Sequence, residues 1–155
     1  MGFEIRAGSA DLTSVRKALR RVGDVGLGKQ LAGGLSRAAR PLGPAIRAEV
    51  PKAMPSGYAP ILSRSLRFRT AVKSTKQTAR LTFRVYGDGR KEKRDVPTLN
   101  RGTLRHPVYG KRGAGWVAQR VRPGFVDRPV DRMGPDISRE MQGVVDWVAD
   151  QITKG

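Results

Sequence analysis

His106 is the only imidazole in the chain, and it stands between Arg105 and Pro107 with no nucleophile or orienting carboxylate beside it. A general base needs a proton to take and a partner to hold its ring, so His106 reads as a loop histidine. Asp127 and Asp131 lie four residues apart near a helix start, as two ligands of a cation would. A metal site wants more oxygen ligands. Arg128 and Arg132 sit ready to neutralise the pair, so surface pairing and helix-terminus charge account for the spacing. Gly26–Leu27–Gly28 before a helical stretch lacks the third glycine of a dinucleotide fingerprint, and no Lys-Ser or Lys-Thr follows. With no cysteine in the sequence, disulfides, thiolate metal sites and cysteine nucleophiles are all removed. The expectation is a non-enzyme without catalytic, metal or cofactor residues.

Cations are what the chain has in abundance. Its 155 residues carry 31 Lys and Arg against 13 Asp and Glu, for a formal charge of +18. From Arg64 to Arg122 there are 17 basic residues and 3 acidic ones, whereas residues 136–155 are net −2. A field of this kind repels copies of itself and attracts polyanions, so counterions, an acidic partner or nucleic acid must lie close. The loop cluster Arg90, Lys91, Lys93 and Arg94, with Arg101, Arg105, Lys111 and Arg112, supplies candidate contacts to a partner or to DNA. Trp116 and Phe125 are candidate interface anchors, with core packing as the alternative for both.

These side chains need elements to position them. Leu12, Val15, Leu19 and Val22 recur at helical steps and predict a helix over Asp11–Val22, part of a possible N-terminal extension over residues 1–25. From Leu27 a second stripe runs through Leu31, Leu35, Ala38, Ala39, Leu42, Ile46 and Val50. Pro41 and Pro44 interrupt it, predicting a bent helix or two helices that end before Pro51. Pro51 to Pro60 is a loop by composition. The period then changes to two: Leu66, Phe68 and Val72 alternate with Arg67, Arg69 and Lys73, and Leu81, Phe83 and Val85 with Arg80, Thr82 and Arg84. This predicts a hairpin over about 65–73 and 79–87, one face on the core and the other bearing Arg67, Arg69, Arg80 and Arg84. Phe68 and Phe83 fall on the core face, so bases could not stack among the arginines, and nucleic-acid contact would be electrostatic and sequence-blind.

Residues 87–115 form a long basic, glycine-rich loop whose middle is anchored by Leu99, Leu104, Val108 and Tyr109. Trp116–Val121 can add a strand, and Pro123–Phe125 a turn. A last helix starts at Pro135–Asp136 and carries Ile137, Met141, Val144, Val145, Val148 and Ile152 on one stripe. Trp147 beside that stripe is expected to pack on the sheet or a neighbouring subunit, and Met54 and Met133 to fill core gaps. Strands grouped between helices give an α+β fold: an antiparallel sheet built around the hairpin and covered by N-terminal and C-terminal helices. The length suits a single domain over residues 1–155. No apolar run reaches the ~20 residues of a membrane span, and MGFEIRAGSADL lacks the basic-then-apolar pattern of a secretory signal. A soluble protein made inside the cell is expected.

Several segments stand in a significant order. Val50–Pro51 is followed by Ser56–Gly57 and Leu62–Ser63–Arg64–Ser65–Leu66. Leu99–Asn100–Arg101–Gly102–Thr103–Leu104–Arg105–His106–Pro107–Val108–Tyr109–Gly110 comes next, then Arg122–Pro123–Gly124–Phe125 and a closing amphipathic helix. Over roughly residues 30–153 this resembles the tail-completion, or neck, proteins of long-tailed bacteriophages. Pro60 departs from the family pattern, which usually runs through a small polar turn directly into its leucine. The resemblance implies a helix-plus-sheet subunit of a ring, commonly six-fold, at the head–tail junction of the virion, assembled in the host cytoplasm and without catalysis. The implied partners are further copies of itself, the head–tail adaptor or portal-side connector, and the tail terminator or tail tube. Genomic DNA passing through the ring gives the cationic body a partner, and no membrane is involved. A phage tail terminator and a small cellular, ribosomal-like nucleic-acid-binding protein stand as alternatives.

Overall fold

The switch from helical to two-residue periodicity near residue 65 marks the place where the chain leaves its helices and builds a sheet. The computed structural model describes residues 1–6, 25–74, 79–88, 95–107 and 115–154. In chain order the elements are β1 (Gly2–Arg6), α1 (Val25–Ala38), α2 (Leu42–Ala53), α3 (Ala59–Ser65), β2 (Leu66–Ser74), β3 (Ala79–Gly87), α4 (Val96–Asn100), β4 (Thr103–Pro107), β5 (Trp116–Arg120) and α5 (Asp127–Lys154). The fold is α+β. One antiparallel sheet has the order β1-β3-β2, and a separate antiparallel ribbon pairs β4 with β5.

Strands β2 and β3 pair from Leu66↔Gly87 to Ser74↔Ala79, within a residue of the hairpin expected from the alternation. Leu81, Phe83 and Val85 are buried, and Phe68 stacks on Phe83 with ring centroids 5.7 Å apart. The start of the chain is a strand, not part of a helical extension: β1 pairs with β3 from Gly2↔Arg84 to Arg6↔Arg80. The helix expected over Asp11–Val22 lies outside the described residues.

Helices α1, α2 and α5 supply the layer that covers the sheet, through one buried cluster that includes Leu35, Leu42, Ile46, Val50, Met141, Val145 and Val148. Gly34 permits the closest approach between α1 and α5, since a Cβ there would sit 2.5 Å from Val144 Cγ1. Met54 joins the buried cluster and Met133 packs against it.

Three helix boundaries differ from the expectation, each at a proline: at Pro51 and Pro135 burial overrides it, and at Pro60 the position makes it harmless. Pro51 lies inside α2, which continues to Ala53 and closes with Met54 N–H donating to Val50 O at 2.9 Å; Ala53 and Met54 are both buried. Pro60 falls in the first turn of α3, where a missing donor costs nothing, and Ala59, Leu62 and Ser65 are buried along it. Helix α5 starts at Asp127, not at Pro135, and runs through that proline. Val126, Val130, Met133 and Ile137 extend its packed stripe across the break.

The long loop expected over residues 87–115 contains regular structure. Asp95 caps α4 by accepting from Thr98 N–H at 3.1 Å, Val96 and Leu99 enter the core, and β4 follows. The arms of that loop, 89–94 and 108–114, lie outside the described residues, and with them Arg90, Lys91, Lys93, Arg94, Lys111 and Arg112.

Candidate nucleic-acid interface and docking arm

Strand alternation that buries Leu81, Phe83 and Val85 turns the intervening side chains to the opposite face of the sheet. There Arg69 is directly paired with Arg84, both exposed. The same register sets Lys73 opposite Arg80 and Arg80 opposite Arg6. Like charges placed opposite each other destabilise a sheet, so this face is not arranged for the stability of the isolated chain. The Arg69 guanidinium lies over the Tyr86 ring, 5.9 Å from its centroid.

Arg67 behaves differently from its neighbours. It forms an ion pair with Asp88 at 3.1 Å and donates to Arg64 O at 2.6 Å and Leu66 O at 3.2 Å. Much of its hydrogen-bonding capacity is thus used at the root of the hairpin. Arg84 has no ion pair among the described residues, and the side chain of Arg80 lies outside them. Arg69 and Arg84 are the hairpin arginines best placed to receive a phosphate.

The Asn100–Gly102 and Arg122–Phe125 segments, far apart in sequence, meet in space. Asn100 is buried and binds Gly124 of the second segment and the two residues that follow it, Val126 and Asp127. Its carbonyl accepts from Gly124 N–H at 2.7 Å, its Oδ1 accepts from Val126 N–H at 2.8 Å, and its Nδ2 donates to Asp127 Oδ2 at 2.7 Å. Gly102 adopts φ +91°, and a Cβ there would lie 2.8 Å from Val121 O. Only glycine fits such a turn without strain. Val121 N–H donates to Gly102 O at 2.9 Å, so the base of the β4–β5 ribbon, where β4 starts and β5 ends, is fastened at this junction. Asp127 is therefore a structural acceptor.

Beyond the junction β4 keeps one side chain, Leu104, in the core, while β5 is open. All five residues of β5 are exposed, with Trp116 at 54% and Val117 at 44%. Arg105 on β4 is exposed opposite Ala118, and His106 is half-buried opposite Val117. Arg101 is exposed and donates to Thr98 Oγ1 at 3.0 Å. The two expected anchors separate here: Trp116 is open, whereas Phe125 is fully buried in the chain's own core and offers no surface to a partner. Trp147 is not packed on the sheet either; it is 48% exposed on α5.

Glu49 is a charged group that reasoning from sequence does not single out. It is buried on α2, 3.0 Å from Lys52 Nζ, with Arg132 at 3.8 Å and Arg128 at 3.9 Å. Arg128 and Arg132 thus face Glu49 instead of serving Asp127 and Asp131. The Lys52 hydrogen bond, helped by the charges of Lys52, Arg128 and Arg132, holds the Glu49 carboxyl below its ordinary range despite burial. A signal is present in the spacing, for Glu49 stands seven residues after Leu42 and three after Ile46, on the apolar stripe of α2. Among the described residues no group of three or more His, Cys, Asp or Glu could hold a metal ion, and no helix is long and apolar enough to cross a membrane.

Comparisons with family models, curated proteins and solved structures find no match to this chain. The functional reading therefore rests on the residues and their arrangement.

Proposed function

We propose that the chain is a structural subunit of the neck of a long-tailed bacteriophage, a tail-completion protein that joins others in a ring around the DNA path. The observation that carries this reading is the paired arginine face. Arg69 and Arg84 are set side by side on one side of a sheet whose other side is sealed by helices. A nearby polyanion would offset their repulsion, and a cationic lumen lowers the cost of holding DNA there. The exposed strand β5 supports the same reading, because a subunit that must grip neighbours needs an edge that its own core does not use. The basic stretch of Arg90, Lys91, Lys93 and Arg94 belongs to this proposal as a further contact to DNA or to the adaptor.

Electron microscopy of the purified protein, alone and with duplex DNA, tests the proposal together with salt-dependent DNA binding and head-to-tail joining. Ring particles with an axial opening are expected, and DNA affinity that falls steeply with salt. The double variant Arg69→Glu with Arg84→Glu should bind more weakly, the slope of log K against log salt falling by about 0.9 for each phosphate no longer neutralised. A monodisperse monomer that binds no DNA and leaves head–tail joining unchanged when removed would overturn the proposal. A monomer with salt-sensitive RNA binding would point to the small cellular nucleic-acid-binding protein instead.

A further inference from the structure

In the hairpin the aromatic rings and the arginines take opposite faces. Phe68 stacks on Phe83 toward the core, while Arg69 and Arg84 are exposed on the other side. The β4–β5 ribbon is built the other way. Its register sets Thr103 opposite Arg120 and Arg105 opposite Ala118, and Trp116 stands two residues before Ala118. Side chains directly opposite one another share a face, as do those two residues apart on one strand. Trp116, Ala118 and Arg120 therefore lie on the same face as Thr103 and Arg105. Leu104 lies on the other face and is buried in the core, so Trp116 and the two arginines point away from the body. All three are exposed. Arg105 is the diagonal neighbour of both Trp116 and Arg120, at about 7–8 Å, within reach of long side chains. Neither arginine has an ion pair among the described residues, and neither strand contains a carboxylate. Arg101 and Arg122, both exposed, extend the positive charge at the base of the ribbon.

We infer that this face binds a nucleic-acid strand with unpaired bases, one base stacked on Trp116 and the adjoining phosphates held by Arg105 and Arg120. A nucleotide chain alternates flat π-faces with single negative charges, and an indole beside two unpaired guanidiniums matches both. Such stacking tolerates any sequence, since every base has a π-face. A duplex keeps its bases inside the helix and would use the arginines alone. Carboxylates of an acidic peptide would also pair with the arginines and leave the indole unused. The site goes beyond the neck reading and does not depend on a ring. It occupies the outer face of the ribbon and leaves the backbone edge of β5 free for a neighbour.

The chain has two tryptophans, and Trp147 is exposed, so Trp147→Phe should fold as wild type and leave Trp116 as the sole indole. Titrated with a short oligothymidylate, this variant should lose fluorescence as a base covers the ring. Oligouridylate should quench as well, because the ring meets the base and not the sugar. Relaxed closed-circular duplex DNA, which has no ends, should bind through charge without that loss. In the wild-type background Trp116→Ala should weaken oligothymidylate binding about 5- to 150-fold and leave duplex binding and the circular dichroism spectrum unchanged. Trp116→Phe should restore most of the affinity. Arg105→Gln with Arg120→Gln should lower the slope of log K against log salt by about 0.7 for each single-strand phosphate no longer neutralised. Unchanged fluorescence at saturating oligothymidylate would overturn the site, as would a Trp116→Ala variant that binds single strand and duplex with equal loss. Polyglutamate that quenches Trp116 and displaces the oligonucleotide at equal charge would also overturn it, in favour of an acidic protein partner. None of these outcomes touches ring formation or head–tail joining, on which the neck reading is tested separately.

Discussion

Strands β3 and β5 are both paired antiparallel and are opposite in their surroundings. In β3, Leu81, Phe83 and Val85 are buried at every second position beneath the helices. In β5, Trp116 and Val117 are adjacent, so they fall on opposite faces of a ribbon, and both are exposed. The first strand has its apolar face covered by its own chain. A two-stranded ribbon alone is marginal in water, and this one is held by the junction at its base and by Leu104, which reaches the core. The chain thus covers one sheet face itself and leaves β5 open.

The sharpest way to break this comparison is to place the same charge in both regions. Val145 is fully buried on α5, and Val145→Asp would bury a carboxylate with no partner. The expected loss is on the order of 4 kcal/mol or more, most of the ~5–15 kcal/mol that a domain has, so the variant should lose its cooperative melt and its soluble yield. Val117→Asp on β5 should change stability by no more than ~0.5 kcal/mol, as for an ordinary surface change. Thermal melts followed by circular dichroism check both. A Val117→Asp variant as damaged as Val145→Asp would show that the ribbon is part of the core after all.

Between these extremes lies the junction that joins the two regions. Asn100→Ala removes the acceptor of Val126 N–H and the donor to Asp127, leaving buried polar groups unpaired at a cost of about 1–3 kcal/mol. Urea unfolding should show that loss. Hydrogen exchange sharpens it: the Val126 amide should exchange faster, while amides within β3 stay protected up to global unfolding. Equal acceleration in both places would mean that the junction and the sheet open together.

How much of this can be read from the sequence follows the same division. The hairpin is legible to within a residue because Leu66–Val72 and Leu81–Val85 alternate on a half-buried sheet, where a slip of one position would turn every apolar residue outward. Strand β5 is legible as a strand, but its exposure is not, since propensity says nothing of what covers a face. The boundaries at Pro51 and Pro135 are misplaced when the local cost of proline is weighed without the buried Ala53 and Ile137 beyond them, and the one at Pro60 when a first-turn proline is taken for a loop residue. Strand β1 escapes because five residues, GFEIR, carry no turn or partner signal of their own. Of the candidate site residues, Arg69, Arg84 and Trp116 are exposed where the pattern puts them. Arg67 is tied to Asp88, and Phe125 belongs to the core, a distinction that composition does not carry. The spacing places Glu49 on the apolar stripe of α2 with Lys52 three residues on, but two of its cations, Arg128 and Arg132, come from a distant helix that the spacing does not reveal.

That same Glu49 gives the smallest effect and a further separation of the two regions. Its carboxyl is held below the ordinary value of 4.5, chiefly by the Lys52 hydrogen bond, against the opposing cost of burial. A carboxylate with a lowered folded-state value stabilises the fold fully at pH above its unfolded value, and the contribution disappears as pH falls through the folded one. Wild type should therefore lose stability as the pH drops below about 4.5, in addition to losses at other carboxylates. Glu49→Gln should be somewhat less stable at pH 7, and its deficit should shrink as the pH is lowered toward 3, because the wild-type side chain becomes neutral too. Melting temperatures across that range check the sign. Since residues 101–122 contain no carboxylate, this acid limb belongs to the contact between α2 and α5 and not to the ribbon. A deficit that stayed constant with pH would mean that Glu49 acts by its packing alone, and that its cations are held elsewhere.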